Sequence, residues 1–187
     1  MEKQIMEKQI LVPVAQGIEE MEAITIIDVL RRAGAAVTVA SVDRMEILAA
    51  REIRFRADCL IRDCMDKAFD LIVLPGGIPG AENLRDSEDL GLLLKAQADA
   101  GRYFGAICAS PAVVLHHHGL VTPGQCTCHP GFTHMIDNGN VDGGAVVVAG
   151  NCITGRGAGT ALAFALKLVE MLFPAQIVQE VRAGLAV

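Results

Sequence analysis

Apolar and polar positions along the chain alternate between two kinds of run. Ile10-Leu11-Val12-Pro13-Val14-Ala15 is a short uninterrupted apolar stretch ending at Gly17, which predicts a strand buried on both faces. From Glu19 to Ala33 the apolar residues Ile24, Ile27, Val29 and Leu30 recur at helical spacing. Acidic residues crowd the start of that segment, Arg31-Arg32 sit near its end, and Gly34 follows as a cap, in keeping with the helix dipole. Strands are predicted over Ala36 to Ser41, over Glu46 to Ala50 and, most clearly, over Asp70 to Leu74, where Pro75-Gly76-Gly77 stops the run. Ser87 to Ala100 reads as a helix with Ser87 as its N-cap. Tyr103 to Ile107 is a further strand, followed by Cys108 and a helix through Pro111 to His116. A looser segment rich in Gly and Cys runs to about Gly144. Ala145 to Ala149 and Cys152 to Thr154 read as paired strands, Ala161 to Leu172 as a long helix, and a last helix begins after Pro174.

Strands alternating with helices predict a mostly parallel sheet covered on both faces, the α/β class. Ligands of such sheets sit beyond the carboxyl ends of the strands. The 187 residues suit one domain with a sizeable core, and 52% hydrophobic against 20% charged residues argues against disorder. Aromatic residues make up only 4%, so the core is expected to be built from Ala, Val, Leu and Ile. A net charge of -6 argues against a binder of duplex nucleic acid. No stretch reaches the roughly 18 uncharged apolar residues of a membrane helix; the best, Ala161 to Phe173, is broken by Lys167 and Glu170. Met1 to Ile5 is repeated as Met6 to Ile10 with no apolar signal region, so residues 1–8 read as an N-terminal extension or start artefact and 9–187 as the domain. A cytoplasmic protein with its six cysteines reduced is the expectation.

Three strand ends carry residues with chemistry: Glu19 to Glu22, Gly76-Gly77, and Cys108. Cys108 lies in Gly105-Ala106-Ile107-Cys108-Ala109-Ser110-Pro111, small residues with Pro111 placed as a first helical residue. This is the strand–turn–helix setting of a nucleophile elbow, and a helix N-terminus there favours thiolate. Against this stands the ordinary reading of Cys108 as a small buried hydrophobe. Gly76-Gly77 could offer backbone N–H groups to an oxyanion or be only a tight turn. The glutamates could equally be a solvated dipole pair.

Gly17-Ile18-Glu19-Glu20-Met21-Glu22, Val73-Leu74-Pro75-Gly76-Gly77, Ala106-Ile107-Cys108-Ala109, His129-Pro130 and Arg156-Gly157-Ala158-Gly159-Thr160 follow one another in an order that resembles the ThiJ/PfpI superfamily, in its DJ-like branch. The resemblance runs from about residue 8 to residue 183. It implies a flavodoxin-like three-layer sandwich that forms a homodimer. Within it Cys108 is a nucleophile and oxidation-sensitive thiol, with Glu22 as its carboxyl partner; a carboxyl beside a thiolate should be protonated. The resemblance also implies His129 as a nearby histidine suited to proton transfer, Asp28 as an acid near it, and Gly77 and Ala109 as N–H donors to the reacting oxygen. Arg51 matches an arginine reaching the site from the partner subunit, and Arg31 and Arg32 could approach the partner's site. Ala109 stands where protease-like members carry His, which disfavours peptidase activity. Ser110 replaces a usual Gly or Ala with room for an extra hydrogen bond, and Arg56 stands where some relatives have cysteine.

His116-His117-His118 with Cys126, Cys128 and His129 has the ligand types of zinc, but not a standard spacing, and consecutive helical histidines point apart. No metal and no cofactor are expected. Gly155-Arg156-Gly157-Ala158-Gly159 lacks the context of a dinucleotide loop and reads as a close-packed turn. Two functions follow. One is a cofactor-free glyoxalase or deglycase acting on methylglyoxal-type dicarbonyls or their early adducts on protein side chains. The other is a redox sensor or stress-protective chaperone whose cysteine is oxidised to sulfinate. Thiazole monophosphate biosynthesis has no specific feature in the chain to support it.

Overall fold

The computed structural model describes residues 7–187; the first copy of the N-terminal repeat lies outside the described residues. β1 (Gln9–Val14) pairs in parallel with β2 (Ala36–Ser41) on one side and β6 (Leu71–Leu74) on the other. β2 carries β5 (Cys59–Leu60), β6 carries β7 (Tyr103–Ile107), and β7 carries β9 (Cys152–Gly155), all parallel. β8 (Val146–Ala149) closes that edge antiparallel to β9, giving a seven-stranded sheet of order β5-β2-β1-β6-β7-β9-β8.

The central strands are apolar without alternation because both faces are covered: Ile10 to Val14 and Leu71 to Leu74 are buried throughout. α1 (Glu20–Arg32) packs against α4 (Ala161–Leu172), which also holds α5 (Ala175–Leu185). α2 (Gly80–Arg85) packs against α3 (Glu88–Asp99) and against the segment Pro111–His116. The flavodoxin-like α/β sandwich is thus present, with a core of Ala, Val, Leu and Ile as expected.

Local signals explain most boundaries. Gly34 follows α1 at φ +82°, and the Ala35 N–H reaches back to the Leu30 carbonyl at 3.1 Å, closing the helix end. Ser87 caps α3, its hydroxyl accepting from the Leu90 N–H. The predicted strand at Glu46 to Ala50 is shorter, β3 (Glu46–Leu48), and lies outside the main sheet, paired antiparallel with β4 (Arg54–Arg56). The apolar pattern does not predict β4, β5 or α2. β4 and β5 are too short to show a period, and the run Pro75-Gly76-Gly77-Ile78-Pro79-Gly80 hides the start of α2 behind turn residues. The helix after Cys108 is wound as a π-helix over Pro111–His116. No helix among the described residues is long and apolar enough to cross a membrane.

The chain runs outward from β1 through β2 to β5, then returns to the other side of β1 with β6. That reversal between β1 and β6 is the topological switch point, where the crevice of an open parallel sheet forms.

Candidate active site

The crevice is a cleft of about 690 Å³ whose walls come from the segments beyond the carboxyl ends of β1, β6, β7 and β9 and from the turn between β3 and β4. Cys108 lies at its floor, immediately after β7, at φ +65°. A side chain in that left-handed region is unfavourable by about 1 kcal/mol and persists only where its surroundings fix it. Here they do: the Cys108 N–H donates to the Gly155 carbonyl at 3.0 Å, and the Cys108 carbonyl accepts from the His129 N–H at 2.7 Å. The buried Ser110 hydroxyl donates to the Pro75 carbonyl at 2.6 Å, tying the elbow to the turn that ends β6. This is the extra hydrogen bond for which the Ser110 position has room.

Glu22 enters from the first turn of α1 and is fully buried. Its Oε2 accepts from the Gly76 N–H at 2.7 Å, while Oε1 is buried without a geometric hydrogen-bond partner. Gly76 separates the two functional groups by the width of its backbone. A Cβ there would lie 2.6 Å from the Cys108 Cβ and 2.9 Å from Glu22 Oε2, so no other residue fits. Gly155 is similarly constrained, because a Cβ would meet Phe164 at 2.8 Å and Ile107 at 2.9 Å. The segment after β9 is not the close-packed turn expected: a Cβ at Gly157 would meet only His129, at 3.5 Å, one at Gly159 would meet nothing within 4 Å, and residues 156–160 line the cleft instead.

Burial pushes the Glu22 carboxyl up to about 7, against the pull of the Gly76 N–H and the Cys108 thiol. Burial also pushes the Cys108 thiol up, and an ionised Glu22 pushes it further, to about 12; the N–H groups of Gly77 and Ala109 act in the opposite direction. The helix terminus alone therefore does not make a free thiolate of Cys108. The two groups do not ionise independently, because a charge on either opposes a charge on the other; with a single proton left on the pair, burial favours it on the thiol and hydrogen bonding acts the other way. Hydrogen-bond accounting favours that proton on the carboxyl. A protonated Oε1 can donate to sulfur, and the sulfur anion then also has the Gly77 and Ala109 N–H groups.

Cys108, Glu22, Gly77, Ala109, His129 and Arg51 all line this cleft. His129 is exposed, and its Nδ1 accepts from the Gly131 N–H at 3.1 Å. Arg51 is exposed on the wall of its own chain's cleft, where its N–H donates to the Glu20 carboxylate at 2.8 Å. Asp28 and Arg32 do not join them. They pair with each other at 2.6 Å across one turn of α1, on an exposed surface away from the cleft. Sequence reasoning misses two features of the site. Arg156 lines the cleft, and the buried Glu20 holds the Arg51 backbone in place. The position of Arg156 beyond the carboxyl end of β9 is the available signal; Glu20 carries none beyond its place at a helix start. Among the described residues no three His, Cys, Asp or Glu side chains gather as a metal site.

Comparison with known proteins agrees with this architecture. Residues 8–171 match the DJ-1/PfpI family. The chain is 47% identical over 167 residues to Arabidopsis thaliana protein DJ-1 homolog B, covering 88% of this chain and 38% of the relative, so it spans well under half of that protein's length. It is 38% identical over 172 residues to the Caenorhabditis elegans protein named glutathione-independent glyoxalase DJR-1.2, covering 87% of each. The solved structure of oxidized Toxoplasma gondii DJ-1 superposes with a TM-score of 0.92 at 42% identity, covering 96% of this chain and 98% of that one.

Proposed function

The chain belongs to the DJ-1/PfpI family, and from that premise we propose that it is a cysteine-dependent glyoxalase or deglycase needing neither cofactor nor glutathione. Its substrates would be methylglyoxal-type dicarbonyls or the early adducts they form on protein side chains. The observation that carries the reading is the buried Glu22 carboxyl, with one oxygen lacking a geometric partner, beside a cleft-facing thiol on a positive-φ elbow.

The Cys108 sulfur adds to the aldehyde carbon of methylglyoxal, and Glu22 gives its proton to the carbonyl oxygen, forming a hemithioacetal. Glu22, now ionised, takes the proton from the former aldehyde carbon and returns it to the neighbouring carbon, while the proton of the hemithioacetal hydroxyl passes to the second carbonyl oxygen, so that one carbon becomes the thioester carbonyl and the other the alcohol. The product is a thioester, which water cleaves to lactate and free thiol. The N–H groups of Gly77 and Ala109 are the donors available to developing negative charge. His129, exposed at the mouth, is suited to handling the proton of the hydrolytic water. The test is lactate formed from methylglyoxal by purified protein and by Cys108→Ser: steady lactate that the variant loses is expected, and equal lactate from both would overturn the reading.

A second reading has its own support. N–H groups converging on one sulfur would also hold the oxygens of a sulfinate, and the Toxoplasma gondii relative was solved oxidized. In that case Cys108 is a redox sensor in a stress-protective protein, and it should oxidise before the other thiols under mild peroxide. A homodimer belongs to either reading. Met21 and Ile24 are exposed on α1, near Asp28 and Arg32, and burying that face against a second copy would bring Asp28, Arg32 and Arg51 to a shared boundary. We place the protein in the cytoplasm.

A further inference from the structure

Far along the sheet from β7, the edge strand β5 and the 3₁₀ turn that follows it carry a second thiol pair. Cys59 and Cys64 are five positions apart, and their sulfurs stand 3.6 Å from each other. Among the described residues no other two sulfurs make such a contact, and all six thiols are unbridged. The turn Ile61–Cys64 doubles the chain back so that the two side chains meet, and the Asp63 carboxylate fixes its start by accepting from the Leu60 N–H at 3.1 Å. Cys59 is half-buried and Cys64 fully buried.

We propose that Cys59 and Cys64 form a reversible disulfide when a peroxide oxidises the chain, a redox site separate from Cys108. A bonded pair needs about 2 Å between sulfurs, so the thiols must approach by about 1.5 Å, within reach of side-chain rotation in a short exposed-edge turn. The accessible Cys59 meets the oxidant. Its sulfur, as thiolate, attacks one peroxide oxygen, the O–O bond breaks, and Cys59 becomes a sulfenic acid with release of one water. The Cys64 sulfur then attacks Cys59, the S–O bond breaks, the hydroxyl leaves with the Cys64 proton as a second water, and the S–S bond forms. In sum, two thiols lose two hydrogens and two electrons while one peroxide is reduced to two waters. Burial pushes the Cys64 thiol up to about 12, consistent with its role as the second, resolving thiol rather than the first to react. The product pins edge strand β5 to the turn behind it, and a small dithiol reverses it.

The sequence supplies a convenient assay. Trypsin cuts at Arg56, Arg62 and Lys67, which separates the two cysteines into peptides 57–62 and 63–67. The full chain is treated with hydrogen peroxide, capped with N-ethylmaleimide and digested without reductant. The expected product is those two peptides joined and two hydrogens lighter than their sum, with both thiols restored by dithiothreitol. Cys108→Ser should leave the linked peptides unchanged, which separates this site from the proposed catalysis. Cys59→Ser and Cys64→Ala should each abolish them. Recovery of both peptides fully alkylated after Cys108 has oxidised would overturn the proposal, as would Cys59 recovered as sulfinate with Cys64 still free. The wild-type mass map decides this even if the Cys64 variant fails to fold.

Discussion

Cys108 follows the end of β7 and Cys152 opens the neighbouring β9, at opposite ends of two paired strands, and burial pushes both thiols up to about 12. Cys152 opens β9 opposite Phe104, inside the ladder, where only burial and the nearby Cys126 act on it and both raise its pKa. Cys108 lies just past the ladder, where the N–H groups of Gly77 and Ala109 oppose burial and Glu22 can supply a proton. Within a ladder each backbone N–H is committed to the neighbouring strand. Beyond the carboxyl ends the chain turns, and its N–H groups are free to aim at a side chain. Burial makes a thiol inert; burial with donors and a proton source makes one that can react.

Exchange of the two sulfurs breaks this contrast most directly. Cys108→Ser should remove lactate formation by at least about a thousandfold, the scale of losing a covalent nucleophile. Cys152→Ser should leave turnover intact while costing about 1–3 kcal/mol in chemical denaturation, because a hydroxyl replaces a thiol where no partner exists. Next in size is Glu22→Gln, expected to lower turnover by about a hundred- to ten-thousandfold with the thiol still present. The same variant sharpens the electrostatic side. Glu22 holds its proton to about 7 in the folded chain, against 4.5 for an ordinary glutamate, so the folded state binds more protons across that window. Stability due to this group is present below 4.5 and is lost as pH rises toward 7, by about 3 kcal/mol in all. Denaturation midpoints of the wild type should fall across that range, and those of Glu22→Gln should fall less.

Two smaller changes test the scaffold around Cys108. Gly76→Ala pushes a methyl into both Cys108 and Glu22, and should reduce turnover about a hundredfold through displaced geometry. Ser110→Ala removes the bond to the Pro75 carbonyl and should cost about 1–2 kcal/mol of stability, read by denaturant titration, with a smaller loss of turnover.

The apolar runs of β1, β6 and β7, the helical period of α1 and α4, and the caps at Gly34 and Ser87 are all legible in the chain, because each is a local consequence of burial or of an unpaired helix end. The strand–turn–helix setting singles out Cys108, and the ordered motifs bring Glu22, Gly77, Ala109 and His129 to the same cleft, while Arg51, matched to an arginine from a partner subunit, lines the cleft of its own chain. Within one chain Asp28 and Arg32 pair with each other away from the cleft, and the partner-subunit role that the motifs imply for them belongs to the proposed dimer. Only the tertiary structure decided that Glu22 would be fully buried with one oxygen lacking a geometric partner, that Arg156 would line the cleft, and that Cys59 and Cys64 would touch. These facts depend on which strands become neighbours and how far each turn doubles back. Periodicity along the chain encodes which side of an element is buried, but not what it is buried against.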